Sequence, residues 1–409
     1  MNRIRLNLAL SLTAGTIILG FWMGMSPSAL LGSSLRAVAD SQTVGLALVV
    51  AMIMVMSTIM EQSGHMARLV RSFSRLSRDY RTIASVMSAL IGLLPMPGGA
   101  LFSAPMVESS LSLSSSTSEQ KTALNYWFRH IWEYWWPLYP GVILAIALLE
   151  VETWQFMVVM APMSVLSIGA GTIFILRPIG GANIIDKKAF SLSGTGRFLW
   201  EMMPIVIVIS FMIILTGLIK LFSSIGINLN IPSFFSILPG LLLSIIWVCI
   251  VNHSPLSQLT SAILNRKNLI MTFLILTIMI FKGVMDDSSA VVHIRNELMS
   301  YQIPVILVII IMPFISGFIL GIAIGFVGAS FPLIIPLFNS PDLVEYLSYG
   351  ALAYSFGYMG MMLSPVHLCL LVTKNYFHAG LLKSYRYIIK PALLVMTGAV
   401  LLFLILRSL

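Results

Sequence analysis

Residues capable of chemistry gather in the stretch Arg129-His-Ile-Trp-Glu-Tyr-Trp-Trp-Pro-Leu-Tyr-Pro-Gly141. Arg129 and Glu133 are four apart and His130 and Glu133 three apart, so each pair can meet on one helical face. Ionisable groups at membrane depth are expensive and are functional candidates by default. Glu133 therefore has two readings: a group that tunes proton or substrate binding, or a carboxylate neutralised by Arg129 near the inner boundary. Trp132, Tyr134, Trp135 and Trp136 also have two, an interfacial belt or the wall of a cavity. A second such region is Gly357-Tyr-Met-Gly360, which loosens the backbone ahead of Ser364-Pro365, with His367 just beyond. His367 can titrate near neutral pH and could relay a proton, although a satisfied core histidine is the commoner case. Arg129, Glu133 and His367 are thus the coupling candidates.

Other chemistries find little support. His130-Ile-Trp-Glu133 has one histidine and one carboxylate, short of a zinc-protease pattern. No Walker motif and no Gly-x-Ser-x-Gly occurs, so neither ATP drive nor an intramembrane hydrolase is expected. Cys249 and Cys369 lie in apolar runs, so neither a disulfide nor a cysteine-based metal site is expected. Glu61, Asp286 and Asp287 fall at span ends and read as boundary groups, with Lys282 in reach of Asp286. Asp286 and Asp287 as a cation pair is the minority reading.

The elements that must position these groups are set by composition. The 409 residues are 58% hydrophobic and 10% charged, with a mean hydropathy of +0.96. A soluble domain is about 25% charged. The chain reads as an all-α, multi-pass membrane protein. The net charge of +9 sits on no soluble module, so a nucleic-acid partner is not expected. Apolar runs long enough to span lie at 6–25, 43–61, 154–177, 199–221, 233–252, 268–285 and 386–407. Two segments, 121–150 and 345–373, are long but interrupted and read as discontinuous helices.

Two more, 83–108 and 303–336, read as re-entrant hairpins. Within the first, Pro95 and Pro97 with Gly98 and Gly99 cannot continue a helix. In lipid a broken helix survives only where protein covers it or where it lines a wet cavity. The segment 303–336 is also long enough to be two full spans, the chief alternative topology. With the N-terminus cytoplasmic and both hairpins re-entrant, only Arg36, Lys220, Lys282, Arg295 and Arg407 of the 24 Lys and Arg fall outside. That bias fits the positive-inside rule. The basic run Arg68, Arg71, Arg75, Arg78, Arg81 has two readings, a contact with membrane lipid headgroups or, the commoner case, a plain positive-inside anchor.

The order of motifs repeats. Met60-Glu-Gln-Ser-Gly64 matches Met285-Asp-Asp-Ser-Ser289, Gly99-Ala-Leu-Phe102 matches Gly328-Ala-Ser-Phe331, and Leu138-Tyr-Pro140 matches Leu363-Ser-Pro365. The expected domains are repeat one at 1–178, a loop and linking helix at 179–231, and repeat two at 232–409. An odd linking helix inverts the second repeat relative to the first, an architecture of many secondary transporters. The hairpin tips would be Pro97, Gly98 and Gly99, with Ser103 one turn on, and Gly328, Ala329 and Ser330. The breaks would be Tyr139-Pro140-Gly141 and Ser364-Pro365. Together these form the expected substrate site. Glycine admits a ligand close to backbone N–H groups, and Ser103, Ser330, Tyr139 and Ser364 supply hydroxyls.

At these motifs the chain resembles the ion-transporter superfamily, which includes dicarboxylate/sodium symporters and gluconate permeases. Pro95-Met-Pro-Gly-Gly-Ala-Leu-Phe-Ser-Ala-Pro105 and Trp132-Glu-Tyr-Trp-Trp-Pro-Leu-Tyr-Pro-Gly141 are similar to segments of an uncharacterised prokaryotic integral-membrane family placed there. The Ser-Asn-Thr tripeptides that mark the dicarboxylate carriers are absent from both tips, so substrate and sodium ligands do not carry over. The resemblance implies an elevator-type secondary transporter of the prokaryotic cytoplasmic (inner) membrane, with a scaffold that forms a homodimer. The expected activity is symport of a small organic anion, a carboxylate or sugar acid, with H+ or Na+. The alternatives are an inorganic oxyanion transporter or a channel, and further off an intramembrane enzyme. No cofactor is expected beyond Na+ as a coupling ion.

Overall fold

A computed structural model of the chain describes residues 2–73, 79–96, 99–112, 114–180, 192–227, 232–338 and 340–409. Pro97, Gly98, Arg75 and Arg78, named above, lie outside the described residues. Among the described residues every regular element is helical. The chain is an all-α membrane protein, and among the described residues six helices are long and apolar enough to cross a bilayer.

In order, the elements are α1 (Asn2–Trp22), α2 (Pro27–Ala39), α3 (Ser41–Gln62), α4 (His65–Phe73), α5 (Tyr80–Gly92), α6 (Ala100–Ser110), α7 (Ser118–Arg129), α8 (Pro140–Leu149) and α9 (Thr153–Gly171). A π turn extends α9 to Leu176. Then come α10 (Leu192–Glu201), α11 (Met203–Ser224), α12 (Leu238–Val251), α13 (Leu256–Ile263), α14 (Arg266–Asp287) and α15 (Ala290–Ser300). The chain closes with α16 (Val305–Leu320), α17 (Ala323–Ile334), α18 (Leu343–Met362), α19 (Leu368–Tyr376) and α20 (Leu381–Arg407).

Local chemistry sets the boundaries. Asp40, Asp79, Thr117 and Asp342 cap α3, α5, α7 and α18 by accepting backbone N–H groups. Thr117 and Gln120 form a reciprocal capping box. Pro140 opens α8 at its first turn, where its missing N–H costs nothing. Gly321 ends α16 with φ of +62°, a conformation that suits glycine.

Two groups of helices pack side by side. In one, α3 and α14 are central and pack on α1, α2, α12 and α13, with α11 against α12. In the other, the paired helices α5/α6 and α16/α17 pack on α7, α18 and α19, with α20 against α7 and α18. The groups meet chiefly where α3 packs on α8 and α14 on α17. Burial follows this arrangement: 72% of the α3 window is buried but only 17% of the α11 window, so α11 shows an apolar face to lipid. Crossing bonds sit at the end of α8, from Gln42 Nε2 to the Ala147 carbonyl at 3.1 Å and from Lys282 to Glu150 at 2.8 Å.

Both arms of each helix pair are short. α16 has 16 residues and α17 has 12. At about 1.5 Å per residue neither reaches across a hydrocarbon core of about 30 Å. The second turn differs from expectation. It lies at Gly321-Ile322, and Gly328, Ala329 and Ser330 sit inside α17. Gly99-Ala-Leu-Phe102 and Gly328-Ala-Ser-Phe331 share a pattern but not a position: Gly99 is the N-cap of α6, whereas Gly328 faces Ile278 of α14. The short helices α2, α4, α10, α13 and α15 were not anticipated, because each is too short or too polar to register as a span.

One expected ion pair is replaced and another pair forms beside it. Lys282 bonds Glu150, not Asp286, and Asp287 bonds Arg36 at 2.7 Å. Arg68 reaches Glu201 at 3.4 Å beside buried His65, whose Nε2 donates to the Glu201 carbonyl at 2.8 Å. That cluster ties α4 to the end of α10.

Candidate functional site

The interruptions between α7 and α8 and between α18 and α19 free backbone groups in an apolar interior. An unpaired group there costs several kcal/mol. Aromatic side chains answer the carbonyls. Trp132 Nε1 donates to Ala89 and Trp136 Nε1 to Leu93, each at 3.0 Å, and the Tyr139 hydroxyl donates to Gly92. These three close the C-terminal end of α5. Tyr126 donates to Met362 at 2.9 Å, Tyr358 to His130 at 2.6 Å and Tyr354 to Glu133 at 2.8 Å, so the two interrupted helices cap one another. The aromatic run thus has a further role beside those of a belt or a wall. It supplies donors on apolar rings.

Asn125 joins the parts further. Its Nδ2 donates to Ala100 of α6 at 3.1 Å and to Thr373 Oγ1 of α19 at 3.2 Å. We expect Tyr358→Phe to cost about 0.5–1.5 kcal/mol, the net worth of one buried hydrogen bond, because the His130 carbonyl keeps the Glu133 N–H at 3.3 Å. Chemical or thermal unfolding in detergent measures this, and an unchanged midpoint would show that water replaces the bond.

A cavity of about 120 Å³ opens where these elements meet. Pro95 and Met96 line it from the first turn, Tyr139, Pro140 and Gly141 from the start of α8, and Gly321 to Ile324 from the second turn. Arg129, His130, Glu133, His367 and Cys369 face it, and Met54 and Met271 close it from α3 and α14. The volume exceeds that of a few waters.

Of the residues singled out in the sequence, Arg129, Glu133, Tyr139, Pro140, Gly141 and His367 come together here. Gly99 sits beside them at the start of α6, close against the Arg129 guanidinium. Ser364 and Pro365 lie in the second break, with Ser364 Oγ packed at Gly321. Ser103 is buried within α6, and Ser330 donates to the Phe326 carbonyl within α17 at 2.6 Å. Gly328 and Ala329 are likewise absent from the cavity wall.

Arg129 is 2% exposed and ends α7. Its Nη2 donates to the Met96 carbonyl at 2.6 Å, while Nε has no hydrogen-bond partner. The expected pairing with Glu133 is not formed: among the described residues no carboxylate lies within 4.0 Å of the guanidinium. The helix stops at Arg129, so the four-residue spacing no longer places Glu133 on its face. Glu133 instead lies 3.8 Å from His130 Nε2. Helices α8, α17 and α19 begin at the cavity, and none has a side-chain N-cap bond. Their first N–H groups and positive dipole ends therefore face the same space as an unpaired guanidinium, an arrangement that favours an anion.

Sequence reasoning missed that His130 and His367 meet, Nε2 to Nε2 at 3.2 Å, with Cys369 beside them. Only the placement of each residue beside a helix break could have hinted at it. Among curated proteins none matches the chain. The family model described as "Protein of unknown function (DUF401)" matches residues 3–406, and the chain belongs to that family.

Proposed function

We propose that the protein is a secondary active transporter of a small organic anion, a carboxylate or sugar acid, coupled to H+ or Na+. The observation that carries this reading is Arg129, a buried guanidinium with no carboxylate within 4.0 Å among the described residues, set among three helix starts that lack side-chain caps at one cavity. A buried cation needs compensation. An anionic ligand would provide it, and the planar donor fork suits a carboxylate.

The architecture we infer is a pair of inverted repeats. Element starts support it. α3, α4, α5 and α7 precede α14, α15, α16 and α18 by one spacing (266 − 41, 290 − 65, 305 − 80 and 343 − 118 each give 225). Gly92 and Gly317 share that spacing and a role: a Cβ on Gly92 would strike the Arg129 carbonyl, and one on Gly317 the Gly357 carbonyl. Each glycine lets a short arm press on the first half of an interrupted helix. One helix, α11, links the units and would invert the second. In this reading α5/α6 and α16/α17 are re-entrant hairpins, and the N-terminus is cytoplasmic.

The mechanism that follows is an elevator. The group holding both hairpins and both interrupted helices would carry the substrate. The group around α3 and α14 would be the scaffold, pairing with a second copy. Met54, Met271 and Ile278 give that boundary an apolar, sliding character. Membership of the ion-transporter superfamily would account for the whole layout.

A thermal-shift screen of carboxylates, sugar acids and inorganic oxyanions, with and without sodium, tests the substrate class. We expect a saturable shift with an organic anion. A shift with oxyanions alone would replace the organic substrate, and stabilisation by no anion would remove the reading of Arg129.

A further inference from the structure

One face of the cavity carries a donor set that the anion reading does not use. His130 lies just past the end of α7, His367 at the start of α19 and Cys369 in its first turn. One ligand atom from each lies within 4.8 Å of the others, and all three residues are buried. We propose that His130, His367 and Cys369, with Glu133 as fourth ligand, form a site for a borderline-soft divalent metal ion such as Zn2+.

The geometry approaches a tetrahedral site. Zinc binds imidazole nitrogen at about 2.0–2.1 Å and thiolate at about 2.3 Å, so nitrogen ligands stand about 3.3 Å apart. The two Nε2 atoms are already 3.2 Å apart, and Glu133 Oε1 is 3.8 Å from His130 Nε2. Rotamer adjustment of Cys369 and Glu133 would complete the set.

The tautomer of His130 is also fixed. Its Nδ1 bonds the Tyr126 carbonyl at 2.6 Å, and a carbonyl can only accept. The proton is therefore on Nδ1, and Nε2 presents a lone pair to the cavity. A ligating histidine usually has its other ring nitrogen held in this way. His367 is held more loosely. Its Nδ1 makes no hydrogen bond within 3.5 Å, its Nε2 meets the other imidazole nitrogen, and the Met361 and Gly321 carbonyls lie beside the ring. Without metal, Nε2–H of His367 donates to His130 and holds the rings face to edge, with centroids 4.9 Å apart. Transfer of that proton to Nδ1, which gives the other neutral tautomer, would turn both Nε2 lone pairs inward.

Charge is consistent with the proposal. A thiolate and a carboxylate balance a divalent ion. Binding releases the Cys369 proton. The ligand types, two imidazoles with one thiolate and one carboxylate, suit zinc or cobalt better than magnesium or calcium. The inference stands on these side chains and not on the transport reading, so either can fail alone.

The test is titration of the untagged, metal-stripped full chain in detergent with Co2+, a zinc surrogate visible by absorption. One equivalent per chain should give tetrahedral d–d bands and a thiolate-to-cobalt charge-transfer band, both bleached by Zn2+. Cys369→Ser should abolish the charge-transfer band, whereas Cys249→Ser should leave it. His367→Ala should weaken cobalt binding at least tenfold. If His367→Ala fails to assemble, the near-isosteric Cys369→Ser comparison decides. No saturable band, a charge-transfer band that survives Cys369→Ser, or a signal removed by changing His253, His293 and His378 instead would each overturn the site.

Discussion

Arg129→Met will weaken binding of the stabilising anion by at least about 30-fold while the protein remains assembled. Truncating one partner of a buried, hydrogen-bonded charge pair costs about 2 kcal/mol or more, and about 1.4 kcal/mol is tenfold. The guanidinium is buried, it lines the cavity, and among the described residues no carboxylate lies within 4.0 Å of it. Arg129→Lys should fall between, since it keeps the charge but loses the fork. The substitution also strips a donor from the Met96 carbonyl. Size exclusion and melting without ligand therefore accompany the titration. A melting temperature that drops while affinity holds would assign Arg129 to packing alone.

The second large effect is mechanical. A disulfide between Ile278→Cys and Gly328→Cys will arrest transport, and reduction will restore it. A Cβ on Gly328 would fall against Cγ1 and Cγ2 of Ile278, which places the two Cβ positions within disulfide range. Ile278 is on α14 and Gly328 on α17, one helix from each group. A carrier body that slides past a scaffold cannot move with that bridge closed. Full uptake with the bridge formed would show that these helices do not move relative to one another. This contact also gives Gly328 a different part from the one its sequence suggests. A bulky residue there would press on the neighbouring group, not fill the cavity.

What the sequence discloses here follows from which forces are local. Proline and glycine mark helix ends because they act on their own backbone. The interruption before Pro140 and the turn ahead of Gly99 are therefore readable, as are the long apolar runs of α3 and α14. Motif matching was less secure. Gly99 and Gly328 share a Gly-Ala-x-Phe pattern but not a place in the fold, and the second turn is set by Gly321. Pairing rules failed where the helix they assume had ended, as at Arg129 and Glu133. Long-range meetings were not legible at all. His130 and His367 are 237 positions apart, and Tyr358 finds the His130 carbonyl across 228. The aromatic run carried the right residues for a purpose that only the surrounding carbonyls reveal. Tryptophan and tyrosine pack as apolar rings and still close the bonds that a broken helix opens.

The most direct measurement is uptake into proteoliposomes of the anion that gives the largest thermal shift, under an imposed proton or sodium gradient. The account predicts accumulation above the outside concentration while the gradient lasts, collapse when an ionophore dissipates it, and none with Arg129→Met. Equilibration to the outside concentration with no response to either gradient would indicate a channel, and conversion of the anion without a gradient would indicate an enzyme. Either result would contradict coupled transport.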